Sequence, residues 1–335
     1  MTLPTATLWR ILKDINLSAV KKEGAISTLL LVLGREDLTQ PLARSLAPAT
    51  PAPGPPRLAV KTPEMQPDAT RVDTAIIVND ELEPYRALRH WIDTLDQEGV
   101  PTITVTIDPN EAEAAHDEHE YGSRVGVTLP ALTQHQIETH LAPLILEHVG
   151  EHKHLALARH HPLLRGPYLR SLIEDISQAN AMFVATSGMA KTIPILNVPI
   201  NMADTVILTK NQLLMAYRIA LATGKQGEPK DVMFEIVSVL GGGLLFRQAA
   251  RGLVGLIPGL GILPNVAISY AGTHVIGQAV KTWTLHGRKL QGGDLQRAYQ
   301  QALRAGKALA RRMLNRAGGA APPPKRALKP PESAQ

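Results

Sequence analysis

The order of apolar and polar positions divides the chain into two kinds of segment. In the first half, short β-branched and leucine-rich runs alternate with stretches of helical period. Thr28–Leu33 is an apolar run ended by Gly34, Arg57–Val60 is a short candidate strand, and Thr74–Val78, Thr102–Ile107 and Arg124–Thr128 are three more. Tyr85–Gln97 and Gln134–His148 carry apolar residues at three- and four-residue spacing, which predicts helices. Residues 8–23 place Leu8, Ile11, Leu12, Ile15, Leu17 and Val20 on a helical period, with Arg10, Lys13, Lys21 and Lys22 among them. They predict an amphipathic helix packed on the chain's own core. Strands alternating with helices predict an α/β fold with a mostly parallel sheet.

Beyond about residue 155 the strand signals fade. Leu169–Ala190, Asp204–Thr223, Val232–Leu256, Ile262–Leu285 and Leu295–Asn315 predict helices. Pro194, Pro199, Gly224, Pro258 with Gly259 and Gly261, and Gly292-Gly293 separate them. A Pro-rich breaker at 47–56 rules out a regular element there, and the Pro-rich basic tail beyond Gly318 is expected to be disordered.

Gly252–Val280 runs for 29 residues without Asp, Glu, Lys or Arg. That length spans a bilayer as one helix, but Pro258-Gly259-Leu260-Gly261 and Pro264 break it near its start, so a helical hairpin over 236–285 is expected. Arg247 and Arg251 in the first arm, and Asn265, Ser269, Thr273, His274 and Gln278 in the second, weaken it as a membrane span. Two placements follow, a core hairpin of a soluble domain or an interfacial one. In the second, Leu253, Leu256, Ile257, Leu260, Ile262, Leu263, Val266 and Ile268 would touch lipid.

Charge sharpens this picture. The net charge is only +5, yet Asp73–Gly150 holds 15 acidic residues against three arginines, while Lys281–Gln335 holds 12 basic residues against two acids. A basic end points to an anionic partner. Over Leu295–Leu314, apolar residues occupy one face and basic residues the other. Arg288, Lys289, Arg304, Lys307, Arg311 and Arg312 are therefore the candidate contacts with an anionic membrane surface. Aromatic residues do not interleave with them, Tyr299 aside, which argues against nucleic acid.

A phosphate-binding loop needs Gly-x4-Gly-Lys-Ser/Thr between a strand and a helix. Its backbone N–H groups curl around phosphates, Lys neutralises them and the hydroxyl holds Mg²⁺. Here Gly34 keeps the first position, but Thr39 stands for the second Gly, Gln40 for the Lys and Pro41 for the Ser/Thr. Leu58-Ala59-Val60-Lys61-Thr62-Pro63-Glu64 has the Thr-Pro of a strand leading into Asp-Thr-Pro-Gly, with Lys61 and Glu64 at its functional ends. Val105-Thr106-Ile107-Asp108 stands where Asn-Lys-x-Asp would read guanine, and only Asp108 survives. Thr128–Thr133 echoes a Ser-Ala-Leu segment. In this order and spacing the first half resembles a degenerate Era-type GTPase domain. The second half is similar to the YcjF-like helical domain, through Ile200–Asp204, Leu208–Met215, Gly241–Gly261 and Tyr270–Thr273.

The resemblance implies a degenerate P-loop-NTPase-like sheet followed by an all-α domain of a membrane-associated family. The expected organisation is an N-terminal helix (1–24), a pseudo-G domain (25–150), a helical domain (151–316) and a basic tail (317–335). No catalytic residue, cofactor or metal is expected. With no Cys there is no disulfide or thiolate chemistry, and the start, Met1–Trp9, does not look like a signal peptide. His116, His119, His135, His140, His148, His152, His154, His160 and His161 read as surface side chains. The function expected is a non-enzymatic binding or scaffold protein at the cytoplasmic face of a membrane, peripheral or shallowly inserted, with an unidentified protein partner. A soluble cytoplasmic assembly protein, with the hairpin buried in its own core or in a homodimer, is the alternative, and an enzyme with repurposed nucleotide binding the lesser one.

Overall fold

The computed structural model describes residues 11–48, 57–80, 85–111, 115–121, 124–190, 201–239, 262–290 and 292–318. The first half folds as a sheet with β1 (Leu30–Gly34), β2 (Leu58–Lys61), β3 (Thr74–Asn79), β4 (Thr102–Ile107), β5 (Ala115–Tyr121) and β6 (Arg124–Leu129), in the order β2-β1-β3-β4-β6-β5. All neighbouring pairs are parallel except β5 with β6. The strand β5, with sequence Ala-His-Asp-Glu-His-Glu-Tyr, is an element the apolar pattern does not announce.

Strand periodicity sorts the side chains into two layers. Val32, Ile76 and Ile103 lie side by side in register and belong to one core, with Leu30, Val78, Val105, Val127 and Leu129. Leu31, Leu33, Ala75 and Ile77 point the other way, onto α3 (Tyr85–Gln97). That helix presents Leu88, Trp91, Ile92 and Leu95 at helical spacing. The first face is covered by α2 (Glu36–Leu46) and by α4, a helical run of Gln134–Gln136, a π-helical segment Ile137–Leu141 and Ala142–His148.

The second half adds α5 (Glu151–His160), α6 (Pro162–Ala190), α7 (Asn201–Ala222), α8 (Pro229–Val239), α9 (Ile262–His286) and α10 (Gly292–Gly318). The same apolar cluster that begins at β1 runs on through Leu155, Leu164, Leu169, Ile173, Leu213, Tyr217 and Ile276. The core therefore has no break at residue 150. The predicted N-terminal helix is corrected in its continuity. Residues 11–13 are helical, the chain turns over Asp14 and Ile15, and α1 (Leu17–Glu23) starts afresh behind Asn16, whose side chain accepts the Ala19 N–H at 3.0 Å. Such an N-cap satisfies a donor that a continuous helix would not expose. Its apolar residues Ile11, Ile15, Leu17 and Val20 are buried in the chain's own core. Residues 8–10 lie outside the described residues. So do residues 240–261, with the first arm of the expected hairpin from Leu240 onward; its earlier part is α8.

The second arm, α9, is a central helix of the bundle. Val266, Ala267, Tyr270, Ala271, Val275 and Ile276 are buried, and Thr273 is fully so. Three helices meet on that threonine. Its Oγ1 accepts from Asn180 of α6 at 3.0 Å and from Gln212 of α7 at 3.1 Å. Asn211 donates to the Asn180 carboxamide at 2.8 Å, and Ser269 to the Asn180 carbonyl at 3.2 Å. Polar groups sealed in a core are stable only as a closed set, so this network fixes how the three helices register. On the outer side, α10 crosses α9 at Gly306, where a Cβ would stand 2.8 Å from the Ala267 carbonyl oxygen.

Thr273→Val keeps shape but removes the acceptor that two buried amides share. It is expected to cost about 2–4 kcal/mol, measured by urea unfolding. A loss below about 1 kcal/mol would show that the amides find other partners.

Candidate functional site

The parallel strands reverse order around β1, since the chain leaves β1 for β2 on one side and returns to β3 on the other. In such sheets ligands sit at the carboxyl ends of the strands, in the crevice at that switch point. Gly34-Arg35 ends β1 and Asn79-Asp80 ends β3, so these four residues occupy the crevice. Lys61 ends β2, and Asp108 follows β4. The positions marked as degenerate in sequence thus share one edge of the sheet, with an exception. Thr39, Gln40 and Pro41 are not in a loop. A single residue, Arg35, joins β1 to α2, and all three lie inside that helix. Thr39 is fully buried, its hydroxyl directed at the Glu36 carbonyl at 3.4 Å. The N–H groups of Leu38 and Thr39 both turn back to the Arg35 carbonyl, at 3.2 and 2.9 Å, so from Leu38 onward the donors serve the helix.

The crevice carries its own charges. Arg35 donates to Asp37 at 2.9 and 3.1 Å and to Asp80 at 2.8 and 3.2 Å. Hydrogen bonds to Asp37 and then Asp80 hold its guanidinium well above the ordinary arginine range, and Arg35 in turn lowers the Asp37 carboxyl. Glu36 and Asp37 stand in the first turn of α2, where the helix dipole favours negative charge. Carboxylates from the chain therefore take the position in which a phosphate would be welcome. Asp108 is spent on a local turn, accepting the Asn110 N–H at 2.9 Å and its Nδ2 at 3.0 Å. Glu64 is exposed and lowered by its own backbone N–H and by the Thr62 hydroxyl.

The Arg35–Asp80 ion pair and the neighbouring Asn79 escape motif reading, because a motif search asks which motif residues are missing and not what stands in their place. The signal is the acidic pair after Arg35 and the Asn-Asp that ends a buried strand. Asn79 is only 5% exposed, and neither its Oδ1 nor its Nδ2 has a partner.

Gly34 explains itself without a nucleotide. Its φ is +153°, and a Cβ there would stand 2.3 Å from the Val78 carbonyl oxygen. The position is closed to any larger residue by β3 itself.

A second candidate surface is α10. Ala302 and Ala310 are buried where α10 packs on α9, with Leu295, Tyr299, Leu303, Leu309 and Met313 partly so. The opposite face exposes Arg297, Arg304, Lys307, Arg311 and Arg312, and the preceding turn exposes Arg288 and Lys289. Arg297 pairs with Asp294 at 2.6 Å. Among the described residues no carboxylate pairs with Arg304, Lys307, Arg311 or Arg312.

The expected lipid contacts separate. Val266 is buried in the cluster of α6, α7, α9 and α10, which removes it from the set. Ile268 is half-buried, Ile262 and Leu263 open α9, and Leu253, Leu256, Ile257 and Leu260 lie outside the described residues. No described helix is long and apolar enough to cross a membrane. The reading of all histidines as surface residues fails at His161, which is fully buried, its Nδ1 2.7 Å from the Leu46 carbonyl. Among the described residues no three metal-type ligands converge. An open groove of about 1080 Å³ lies between α1, α4, α5 and α6. Glu23, Glu147, Glu151, Tyr168, Arg170 and Arg218 line it, a mixture of signs that selects neither anion nor cation.

Gly34→Ala is expected to destabilise the fold by about 3 kcal/mol or more, through overpacking against β3. Arg35→Ala, which removes only exposed ion pairs, is expected to cost under about 1 kcal/mol. Parallel thermal melts compare the two, and equal losses would contradict this division of roles. Comparison with protein-family models, with characterised proteins and with solved structures returns no match to the chain.

Proposed function

We propose that the chain is a non-enzymatic binding or scaffold protein, in which a degenerate G-like domain serves for recognition and is fixed to a membrane-associated helical domain. The observation that carries this reading is the closed crevice. Arg35 bridges Asp37 and Asp80 where phosphates would lie, and α2 begins directly behind it. A triphosphate entering there would meet Glu36 and Asp37 and find no free loop of N–H donors. The parallel strand order with its switch point at β1 supports the likeness to a nucleotide-binding sheet.

The membrane part of the reading rests on α10. Its apolar side is already committed to α9, so its contact with an anionic, cytoplasmic-side leaflet is electrostatic and peripheral rather than inserted. A second reading, a soluble assembly protein with its apolar hairpin in the core, is favoured by the burial of α9.

Titration calorimetry with Mg-GTP and Mg-ATP is expected to give no binding heat, and micromolar binding of either would overturn the non-enzymatic reading. In flotation assays the full chain is expected to rise with vesicles containing phosphatidylserine at low salt, and to remain below with phosphatidylcholine alone. If it stays below with both and scatters light as a discrete dimer without detergent, the second reading replaces the membrane one.

A further inference from the structure

The exposed face of α10 is not purely ionic. Leu314, near its C-terminal end, is 42% exposed, while Ala302, Gly306 and Ala310 of the same helix are buried. At about 3.6 residues per turn, Lys307, Arg311 and Leu314 fall in one sector of the helix, with Arg304 beside them. One large apolar side chain therefore stands in a row of exposed cations, outside the seat on α9. From Leu295 to Gly318 the helix has no Asp or Glu, and α9 beneath it has none. On these two helices only Asp294 offsets the cations, and Arg297 takes it.

The spacing of the cations decides what kind of anion fits. Arg297, Arg304 and Arg311 recur every seven residues, which places them roughly 10 Å apart along the axis. A lone phosphate does not bridge that distance, so the row suits an extended array of anions. A nucleic-acid backbone is such an array, but it would leave Leu314 in water. An anionic leaflet offers headgroups to the cations and, about 5–10 Å deeper, hydrocarbon to the leucine. Interfacial helices owe their hold to both contacts. In α10 the broad apolar face is occupied by α9, and Leu314 is the large apolar side chain left exposed among the described residues of the helix. Phe234, 62% exposed, is the contrast, since it lies between Asp231 and Glu235 on α8, where carboxylates repel anionic lipid.

We propose that α10 meets an anionic lipid leaflet through its C-terminal half, with the Leu314 side chain entering the interface as an apolar anchor and Arg304, Lys307 and Arg311 holding headgroups around it. The inference rests on the membrane reading above and refines it. The helix stays outside the hydrocarbon, and one side chain reaches in. The cations draw the chain to the surface, and the leucine slows its departure.

The test uses the full chain, which has no cysteine, so one introduced thiol takes an environment-sensitive fluorophore at a single position. With the label on Leu314→Cys, vesicles containing phosphatidylserine are expected to shift its emission to the blue, and brominated lipid tails to quench it. A label on Phe234→Cys is expected to show neither effect. Leu314→Ser, unlabelled, is expected to weaken vesicle binding by about five-fold at low salt with Tm unchanged. If the chain floats with these vesicles but the label at 314 neither shifts nor is quenched, the anchor is overturned and the electrostatic contact stands. A label at 314 that is already blue-shifted without vesicles, covered by the chain itself, overturns the anchor too. If the chain ignores the vesicles and the 314 label responds to an oligonucleotide instead, the surface takes nucleic acid, and both the anchor and the membrane reading fall. No association with either has the same result.

Discussion

The alternation of side chains along β1 and β3 is the constraint from which the architecture follows. Residues at even positions, Leu30, Val32, Ile76 and Val78, must be covered by something thick and apolar, because they are sealed from water. A single layer of amphipathic helix covers the odd positions through α3. The even face is covered by α2 and α4, and behind them by α5, α6 and α7, in one unbroken core. Strand and bundle therefore depend on each other. Burial is cooperative in such an arrangement, and neither half keeps a complete hydrophobic interior alone.

The two ends of the sheet then contrast in how their charges are treated. At the carboxyl end, Arg35 has two carboxylates for one guanidinium, and the first turn of α2 is acidic. The amino end holds arginines and histidines, and the acids around it serve other cations. A parallel sheet flanked by helices places helix N-termini at one edge and C-termini at the other. Cations such as Arg159 and Arg165 are at home at the second edge, but that field does not supply hydrogen-bond acceptors for Arg57.

Much of the backbone was legible because its signals are local. β-branched runs marked the buried parallel strands, and Gly and Pro marked the gaps between helices. The features that escaped depend on distant partners. The polar strand β5 exists because β6 offers it an edge, and nothing in its own sequence alternates. Asn16 looks like an interior residue of an amphipathic run until its side chain is seen capping Ala19. The α6 helix begins at Pro162, ahead of the Leu169 expected, because burial of Leu163 and Leu164 outweighs the breaker Pro167. At the candidate sites, sequence showed only that a phosphate-loop pattern begins at Gly34 and is not completed. It did not show that Thr39–Pro41 are helical, nor that Arg35 would meet Asp80 from another strand, since 45 residues separate them.

The seat of α10 on α9 has a thermodynamic consequence. A free basic segment that becomes helical on a charged surface must order its backbone as it binds, at about 1–2 kcal/mol per residue. The 27 residues of α10 are already ordered by packing, with Gly306 drawn close to Ala267. Its exposed cations, from Arg297 to Arg312, lie along roughly 22 Å of helix, and their spacing is set before any encounter. Association through such a helix is governed by counter-ions rather than by folding, so its rate answers to ionic strength and hardly to helix propensity.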